Sequence, residues 1–321
     1  MALLIGTDEA GYGPNLGPLI VSASAWRVSN EALRRDLYDL LRECVSPEPV
    51  RPGQDLQVAI ADSKTLYQPG GGLAGLELGV FTALRVLGLH VDRWRDIWRT
   101  LNPTSNCPLA SAPWNDDYDA PLPIEVDTRL LDECGRILAA GLQQAGVQLA
   151  ALRSVAVFPE EWNHLLEQHE SKGAVLSHIT LGLVRSLIPP SADEPVLVIC
   201  DKHGGRNRYG PLLQHFFPET LVETHAEGRA VSIYRWGPAT GRVEVRFAAK
   251  GETFLPSALA SMVSKYLREL AMTAFNEFWR RHKPNLRPTA GYPVDAKRFM
   301  NEIGEVQQML GIADSQIWRN R

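Results

Sequence analysis

Asp8 and Glu9 stand side by side just beyond a short aliphatic run, Ala2 to Ile5, and a turn rich in glycine and proline follows at once: Gly11, Gly13, Pro14, Gly17 and Pro18. Two later apolar stretches repeat the pattern. Pro195 to Cys200 runs into Asp201, and Arg242 to Ala249 runs into Lys250-Gly251-Glu252. Carboxylates gathered at strand ends repel one another and raise each other's pKa. A divalent cation relieves that repulsion, and all-oxygen ligation suits Mg²⁺ or Mn²⁺. Two such ions roughly 3.5–4 Å apart form a clamp for in-line attack on a phosphodiester. Acids at strand ends are also common as plain solvated groups, and spacing alone leaves both readings open. Side chains alternate along a strand, so Asp8 and Glu9 cannot both face inward in regular geometry without a bend or a shared cation.

The elements that must position these acids follow from periodicity. Ala2 to Ile5 and Leu19 to Val28 read as strands, and Asn30 to Glu43 as a helix with Asn30 at its cap. Val45 to Gln57 is a Pro-rich loop, Asp62-Ser63-Lys64-Thr65-Leu66 a polar turn, and Gly70-Gly71-Gly72 a link. Gly79 to Val91 fits a strand or a short helix, and Trp94, Trp98 and Trp114 are expected to plug a satellite core. Asp127 to Gln148 is amphipathic, with Leu130, Leu131, Cys134, Ile137, Leu138 and Leu142 on one face. Leu152 to Phe158 is a strand, and helical stretches follow from Pro159 and from Ala174 to Ile188, stopped by Pro189-Pro190. Val231 to Trp236 and Arg242 to Ala249 make a hairpin. A helix opens near Pro256 and runs to about Arg281, and Met300 to Leu310 forms a last short one. Strands alternating with long helices predict a mixed α/β sheet covered by helices.

The chain has 321 residues, a formal net charge of −4, 45% hydrophobic and 22% charged residues, which is ordinary for a globular protein with a sizeable core. Cys44, Cys107, Cys134 and Cys200 are scattered without C-x-x-C spacing. They read as reduced thiols of a cytoplasmic protein, and no zinc site or disulfide framework is expected. No apolar run is long enough for a membrane span, and no signal peptide is read at the N-terminus. Charge is uneven: residues 264–321 carry ten Lys/Arg against six Asp/Glu, a local +4. A basic segment of that kind lines a phosphate groove or simply solvates terminal helices. Neither G-x-G-x-x-G nor G-x-x-x-x-G-K-[ST] occurs, so a dinucleotide or P-loop site is not supported. No Ser or Cys sits in an activating motif.

Five segments in order resemble the ribonuclease HII family, over about two-thirds of the chain. Asp8-Glu9-Ala10-Gly11-Tyr12-Gly13-Pro14, with Gly17-Pro18 and apolar Leu19-Ile20-Val21, resembles its opening signature. Asp62-Ser63-Lys64-Thr65-Leu66 is similar to its D-S-K-x-L motif, and Val196 to Asp201 to its third-acid strand. Lys250-Gly251-Glu252, with the small-residue helix Ser257 to Lys265 and Arg268-Glu269, resembles its fourth-acid region, and Gly291-Tyr292-Pro293 its late G-Y motif. Trp318-Arg319 falls where the family has a basic ending.

The resemblance implies a ribonuclease H-like fold, a central five-stranded mixed sheet flanked by helices. It implies one catalytic domain over residues 1–321, with an insertion at 70–125, an enlarged loop and hairpin at 205–240, and a helical basic region at 264–321. The activity implied is divalent-metal-dependent endonucleolytic cutting of the RNA strand of RNA–DNA hybrids, or at ribonucleotides embedded in duplex DNA, leaving 3′-hydroxyl and 5′-phosphate ends. Asp8, Glu9, Asp201 and Glu252 would be catalytic and hold two Mg²⁺ or Mn²⁺ ions. Gly11, Tyr12 and Gly13 would read the ribose, Lys64 and Lys265 would meet phosphates, and Tyr292 would stack on a sugar. The partner expected is a hybrid or ribonucleotide-containing duplex, with no membrane and no organic cofactor, and the protein is expected to be a monomer. Two residues depart from the pattern. Tyr12 replaces the usual arginine between the two glycines, and Glu252 replaces aspartate. Two rivals therefore stay open: a nucleic-acid-binding protein of this fold without efficient cleavage, and a nuclease of this fold acting on DNA.

Overall fold

The structure is a computed structural model. It describes residues 1–51, 57–68, 70–102, 112–169, 171–189, 193–249 and 251–320, and at Glu252 the backbone alone. Cys107, Pro190, Lys250 and the Glu252 side chain, all named above, lie outside the described residues.

The chain opens with β1 (Ala2–Ala10) and β2 (Leu19–Val28), antiparallel neighbours. β1 is longer than its apolar run: pairing carries it through Asp8↔Ser22, Glu9↔Val21 and Ala10↔Ile20, so both acids sit within regular strand. The helix expected from Asn30 is broken in two. Ser29, and not Asn30, caps a short 3₁₀ turn at Asn30–Arg34, and Asp36 caps α1 (Leu37–Leu41). Each cap accepts from a backbone N–H that the helix itself leaves unpaired.

A two-stranded parallel pair, β3 (Val45–Ser46) and β4 (Val58–Ala59), then leads into α2 (Ser63–Leu66), a single turn capped by Asp62. α3 (Ala74–Val86) settles the strand-or-helix ambiguity in favour of helix, and α4 (Trp94–Leu101) follows. α5 (Thr128–Ala145) is the expected amphipathic helix, capped by Asp127 and closed by Gly146 at φ 64°. β5 (Gln148–Val157), α6 (Pro159–Gln168) and α7 (Lys172–Leu187) precede β6 (Val196–Asp201). α8 (Gly210–Phe216) and β7 (Glu223–Glu227) were not foreseen, because Glu223–Glu227 is a short polar edge without apolar alternation. β8 (Val231–Trp236) and β9 (Val243–Ala248) form the predicted hairpin. α9 (Leu255–His282), α10 (Pro293–Leu310) and α11 (Asp314–Ile317) complete the chain. α10 starts a full two turns earlier than its apolar pattern suggested.

The strands form one mixed sheet in the order β5-β2-β1-β6-β9-β8-β7, flanked by helices. It has seven strands where five were expected. β5-β2-β1-β6-β9 make up five, and β8 with β7 extend the sheet antiparallel at one side. β1, β6 and β9 run parallel to each other. Buried on both faces, the first halves of β1 and β6 read as near-continuous apolar runs, while β9 alternates buried and half-buried residues.

Apolar side chains fill both faces. Ala2, Leu4 and Leu197 join the layer packed by α9, α3 and α5, while Leu3, Ile5, Val196, Val198 and Cys200 join the layer under α7 and α8. Trp94, Trp98 and Trp114 belong to the first layer, not to a satellite core. The Trp94 indole N–H donates to the Leu270 carbonyl on α9 at 3.3 Å, and Trp114 meets Phe275 edge-on at 4.9 Å. Cys44, Cys134 and Cys200 are buried free thiols, and no helix among the described residues is long and apolar enough to cross a membrane.

α9 lies hard against β1 because Gly6 has no side chain. A methyl there would sit 2.1 Å from the Ser257 nitrogen. This close approach sets the depth at which α9 meets the acids.

Candidate active site

Register decides which acids share a face. β1 and β6 pair in parallel from Leu3↔Val196 to Gly6↔Ile199, and the same register two residues on sets Asp8 level with Asp201. Asp8 follows Leu4 and Gly6 on the α9 side, and Asp201 follows Leu197 and Ile199 on that side. Glu9, one residue on, keeps regular pairing with Val21, and the charges of Asp8 and Asp201 act on its carboxyl.

α9 supplies a polar stripe at i, i+4, i+7 and i+11: Ser257, Ser261, Ser264 and Arg268, all buried. Ser264 Oγ donates to the Asp8 carbonyl at 3.0 Å, so the helix grips the strand at the acid itself. Ser261 Oγ lies within hydrogen-bond distance of Asp62 Oδ1, at 3.3 Å, and of Ser63 Oγ, at 3.0 Å, tying α2 into the same place. The same hydroxyl lowers the pKa of the Asp8 carboxyl, against the effect of burial.

Burial raises the pKa of Asp8, and the Asp201 and Asp62 charges raise it further. Glu9 is raised by burial first and then by Asp8 and Asp201, while Lys64 pulls the other way. The donor set is all oxygen, and it sits at a place short of positive charge, which suits a hard divalent cation. Among the described residues, however, no group of three or more His, Cys, Asp or Glu side chains is drawn together closely enough to hold a metal ion. The backbone of Glu252 lies in the 3₁₀ turn Gly251–Thr253 that follows β9, next to α9's start. Asp62, read from sequence only as the start of a polar turn, is thus a further acid of this site.

The loop from Gly11 to Pro18 is held from below by two buried arginines. Arg268 donates to the carbonyls of Pro18 at 2.6 Å, Leu16 at 3.1 Å and Ala290 at 3.1 Å. Arg319 donates to the carbonyls of Gly11 and Pro14, and its guanidinium lies 5.2 Å from the Trp162 ring centre. Burial lowers the pKa of both, to about 10 for Arg268. The C-terminal strand end closes the cradle: Arg319 N–H donates to the Asn15 carbonyl at 2.8 Å, and Asn15 Nδ2 returns a bond to the Arg319 carbonyl at 2.9 Å. With its carbonyls turned to the arginines, the loop keeps the N–H groups of Gly11, Tyr12 and Gly13 out of every turn or loop hydrogen bond among the described residues.

Gly11 is required by geometry. Its φ is +89°, and a methyl would meet the Pro18 oxygen at 2.5 Å. Gly13 is exposed, and a methyl there would approach only the Tyr292 ring, at 3.9 Å. Tyr292 is 60% exposed beside it. The Tyr12 ring leans against the α7–α8 layer, with its hydroxyl close to Gly204.

The basic residues divide. Lys64 is exposed, with its Nζ 3.9 Å from Asp62 Oδ2. Lys265 pairs with Glu269 and lies 4.3 Å from the Tyr67 ring centre, and Tyr67 Oη donates to Glu269 at 3.0 Å. Its charge is already met within the fold, so the structure brings Lys265 to a salt bridge and not to an open groove. His203, next to Asp201 in sequence, is buried between Tyr209 and Phe247, with Nδ1 3.0 Å from Ser177 Oγ. Burial and the Arg206 charge lower its pKa to about 3, so it is a neutral core imidazole. Lys202 is likewise structural, with Nζ donating to Gly228 O at 2.7 Å and Asn207 Oδ1 at 3.0 Å.

Sequence reasoning missed the roles of Arg268, Arg319 and Asp62. The serine–arginine stripe at helical spacing was the available signal for the first, since buried polar residues on one helix face need partners there.

No family model matches this chain, and no curated protein matches it either. Solved structures similar to it include the RNase HII of Archaeoglobus fulgidus from a PCNA complex, at 16% identity and TM-score 0.43, covering 99% of this chain and 94% of that one. The ribonuclease H2 from Pyrococcus horikoshii OT3 is 14% identical at TM-score 0.47, covering 98% and 92%. Bst-RNase HIII in complex with Mn²⁺ is 15% identical at TM-score 0.37, covering 99% of this chain and 66% of that one.

Proposed function

We propose that this protein is a divalent-metal-dependent endonuclease of the ribonuclease H type, hydrolysing RNA in RNA–DNA hybrids or cutting at ribonucleotides within duplex DNA, with 3′-hydroxyl and 5′-phosphate products. The observation that supports it is the level placement of Asp8 and Asp201 on adjacent parallel strands, beside a glycine loop whose carbonyls are held by Arg268 and Arg319. Asp8, Asp201, Glu9 and Glu252 are the residues that would hold Mg²⁺ or Mn²⁺. When bound, the pair supplies Lewis-acid polarisation of the phosphate and eases deprotonation of water. The chain's own part is positioning. Ser264 and Ser261 fix Asp8 and its neighbour Asp62. The N–H groups from Gly11 to Gly13 are suited to donate to the oxygen of a ribose 2′-hydroxyl, the group that separates RNA from DNA. Tyr292 offers an exposed ring to the adjoining sugar, and Lys64 an unburied charge to a phosphate.

A second reading rests on two residues: Tyr12 and Glu252 stand where the resembled family has arginine and aspartate, which leaves open a protein that binds duplex and cuts it weakly or not at all. One assay separates the two. The protein is incubated with labelled all-DNA duplex, RNA–DNA hybrid, and DNA holding one ribonucleotide, in Mg²⁺ and in Mn²⁺ separately. Cutting confined to the ribonucleotide-bearing duplexes supports the nuclease. Binding without cutting in both metals supports the binding protein, and cutting of the all-DNA duplex at equal rate removes ribose recognition.

A further inference from the structure

A cleft of about 550 Å³ opens between α10, α11 and the end of the chain. None of its walls belongs to the acid row, the glycine loop or the groups assigned to ribose and phosphate above. One wall is the half-buried indole of Trp318, facing Met300 on α10; Lys297, Asn301, Asp314 and Asn320 complete the rim. Each wall is fixed from behind. Trp318 N–H donates to the Asp314 carbonyl at 2.7 Å, the Trp318 carbonyl accepts from Asn163 Nδ2 at 2.8 Å, and its backbone pairs with Leu16. Gln307 Nε2 holds Asp314 Oδ1 at 2.6 Å, leaving its second oxygen for a ligand.

The polar groups at the rim are unusual for their lack of partners. On the same helix Arg298 is paired with Asp295 at 2.8 Å and Glu302 at 3.1 Å. Among the described residues Lys297, Asn301 and the Asn320 side chain enter no ion pair or side-chain hydrogen bond. An aromatic wall, two amide side chains, one cation and one carboxylate converge on a space of ligand size. A planar, hydrogen-bonding base fits the indole and the amides, since every base has a π-face to stack. A phosphate fits Lys297, and base N–H groups or ribose hydroxyls fit the acceptor-only Asp314.

We propose that this cleft is a second nucleotide-binding site, taking one nucleoside monophosphate unit with its base on Trp318 and its phosphate at Lys297. The unit comes from one of two sources, a free mononucleotide or an unpaired terminal nucleotide of a bound strand.

The test is calorimetric titration of GMP into the full chain in EDTA. GMP is chosen because its base carries adjacent N–H donors for Asp314. Saturation at one site is expected. Lys297→Glu and Asn301→Asp, both at exposed positions, should weaken binding about tenfold, the loss of one charge-assisted contact, with unchanged melting curves. Variants that bind both GMP and the overhanging duplex as the parent does, or displacement of GMP by an equal concentration of inorganic phosphate, would each overturn the proposal. A blunt duplex and the same duplex with one unpaired 3′ nucleotide distinguish the sources. Weakening by Lys297→Glu on the overhang alone assigns the strand end; weakening on GMP alone assigns the free nucleotide. The readout needs neither divalent ion nor cleavage, so its failure leaves the endonuclease reading standing, and the reverse holds too.

Discussion

Arg268 Nη1 donates to the Pro18 carbonyl at 2.6 Å, joining the longest helix to the turn that follows the first strand. The same guanidinium reaches Leu16 and Ala290, so three carbonyls, two of them buried, depend on one side chain. Arg268→Met keeps most of the apolar stem but strands those carbonyls. It should destabilise the fold by about 3 kcal/mol or more, since each unsatisfied buried group costs roughly 1–3 kcal/mol. Urea unfolding measures this; an unchanged midpoint would mean that the loop finds other donors.

Gly11 and Gly13 should answer alanine in opposite ways. Gly11→Ala forces a side chain to φ +89° and against the Pro18 oxygen, a strain of about 1–3 kcal/mol, and should lower Tm. Gly13→Ala has room and should melt like the parent, yet narrow the approach of a 2′-hydroxyl to the loop amides. Its cutting at a single ribonucleotide should fall at least tenfold. Parent-like cutting by Gly13→Ala would remove this loop from ribose recognition.

Stability of the metal-free protein should decline between about pH 6.5 and 8. Asp8 is raised by burial and by Asp201 and Asp62, and Glu9 by burial and by Asp8 and Asp201, so above the ordinary carboxylate pKa of about 4 the folded state holds more protons than the unfolded chain. Their contribution is present at low pH and is lost as pH rises through their raised values. His203 acts in the opposite sense: its folded pKa is lowered to about 3, and stability falls as pH drops below about 6.5. Between about pH 6.5 and 8 only the acids act, so Tm in EDTA should fall across that window. Asp8→Asn should flatten the fall, and so should saturating Mn²⁺. A parent protein whose Tm is level over the window contradicts the carboxylate repulsion.

Lys64 and Lys265 should separate in salt dependence. Lys265 is held by Glu269 and Tyr67, so Lys265→Met should leave the slope of log K against log salt for duplex binding unchanged. Lys64→Met should reduce that slope by about 0.9, the value for one lost phosphate contact. Equal slopes in both variants would place the phosphates elsewhere.

Asp201→Asn, Glu252→Gln and Asp62→Asn test which acids the reaction needs. Asp201→Asn and Glu252→Gln should cut at least a hundredfold more slowly in both metals while melting no lower than the parent without metal, because each removes a repulsive charge. Asp62→Asn should slow cutting less, since its Oδ1 is already engaged by Ser261. Parent-like cutting by Glu252→Gln would pass the fourth position to Asp62. Glu269, tied to Lys265 and Tyr67, is not a candidate.

Asp8, Glu9 and Asp201 stand out in the sequence because they interrupt apolar runs, and an interruption of that kind is visible without any structure. The central strands, α5 and the hairpin were legible for the same reason. The α1 region was not, since Ser29 and Asp36 are both good caps and periodicity alone cannot say that the helix restarts. β7 was invisible because an exposed edge needs no apolar alternation. The arginine cradle was out of reach for a different reason: Arg268 and Arg319 look like surface cations until the topology buries them under a loop near the opposite end of the sequence. Lys265 shows the converse, a plausible phosphate ligand neutralised by its own helix.

The cradle also has a kinetic side. The turn after β1 takes its shape from donors 250 and 308 positions away along the chain, and contacts of such separation require closing long loops before they reward the chain. The sheet strands and helices can pair while Gly11 to Pro18 is still unformed. This turn should therefore be among the last parts to gain hydrogen-exchange protection during refolding, so that a nearly native species would already carry its acids before it had the means to tell one sugar from another.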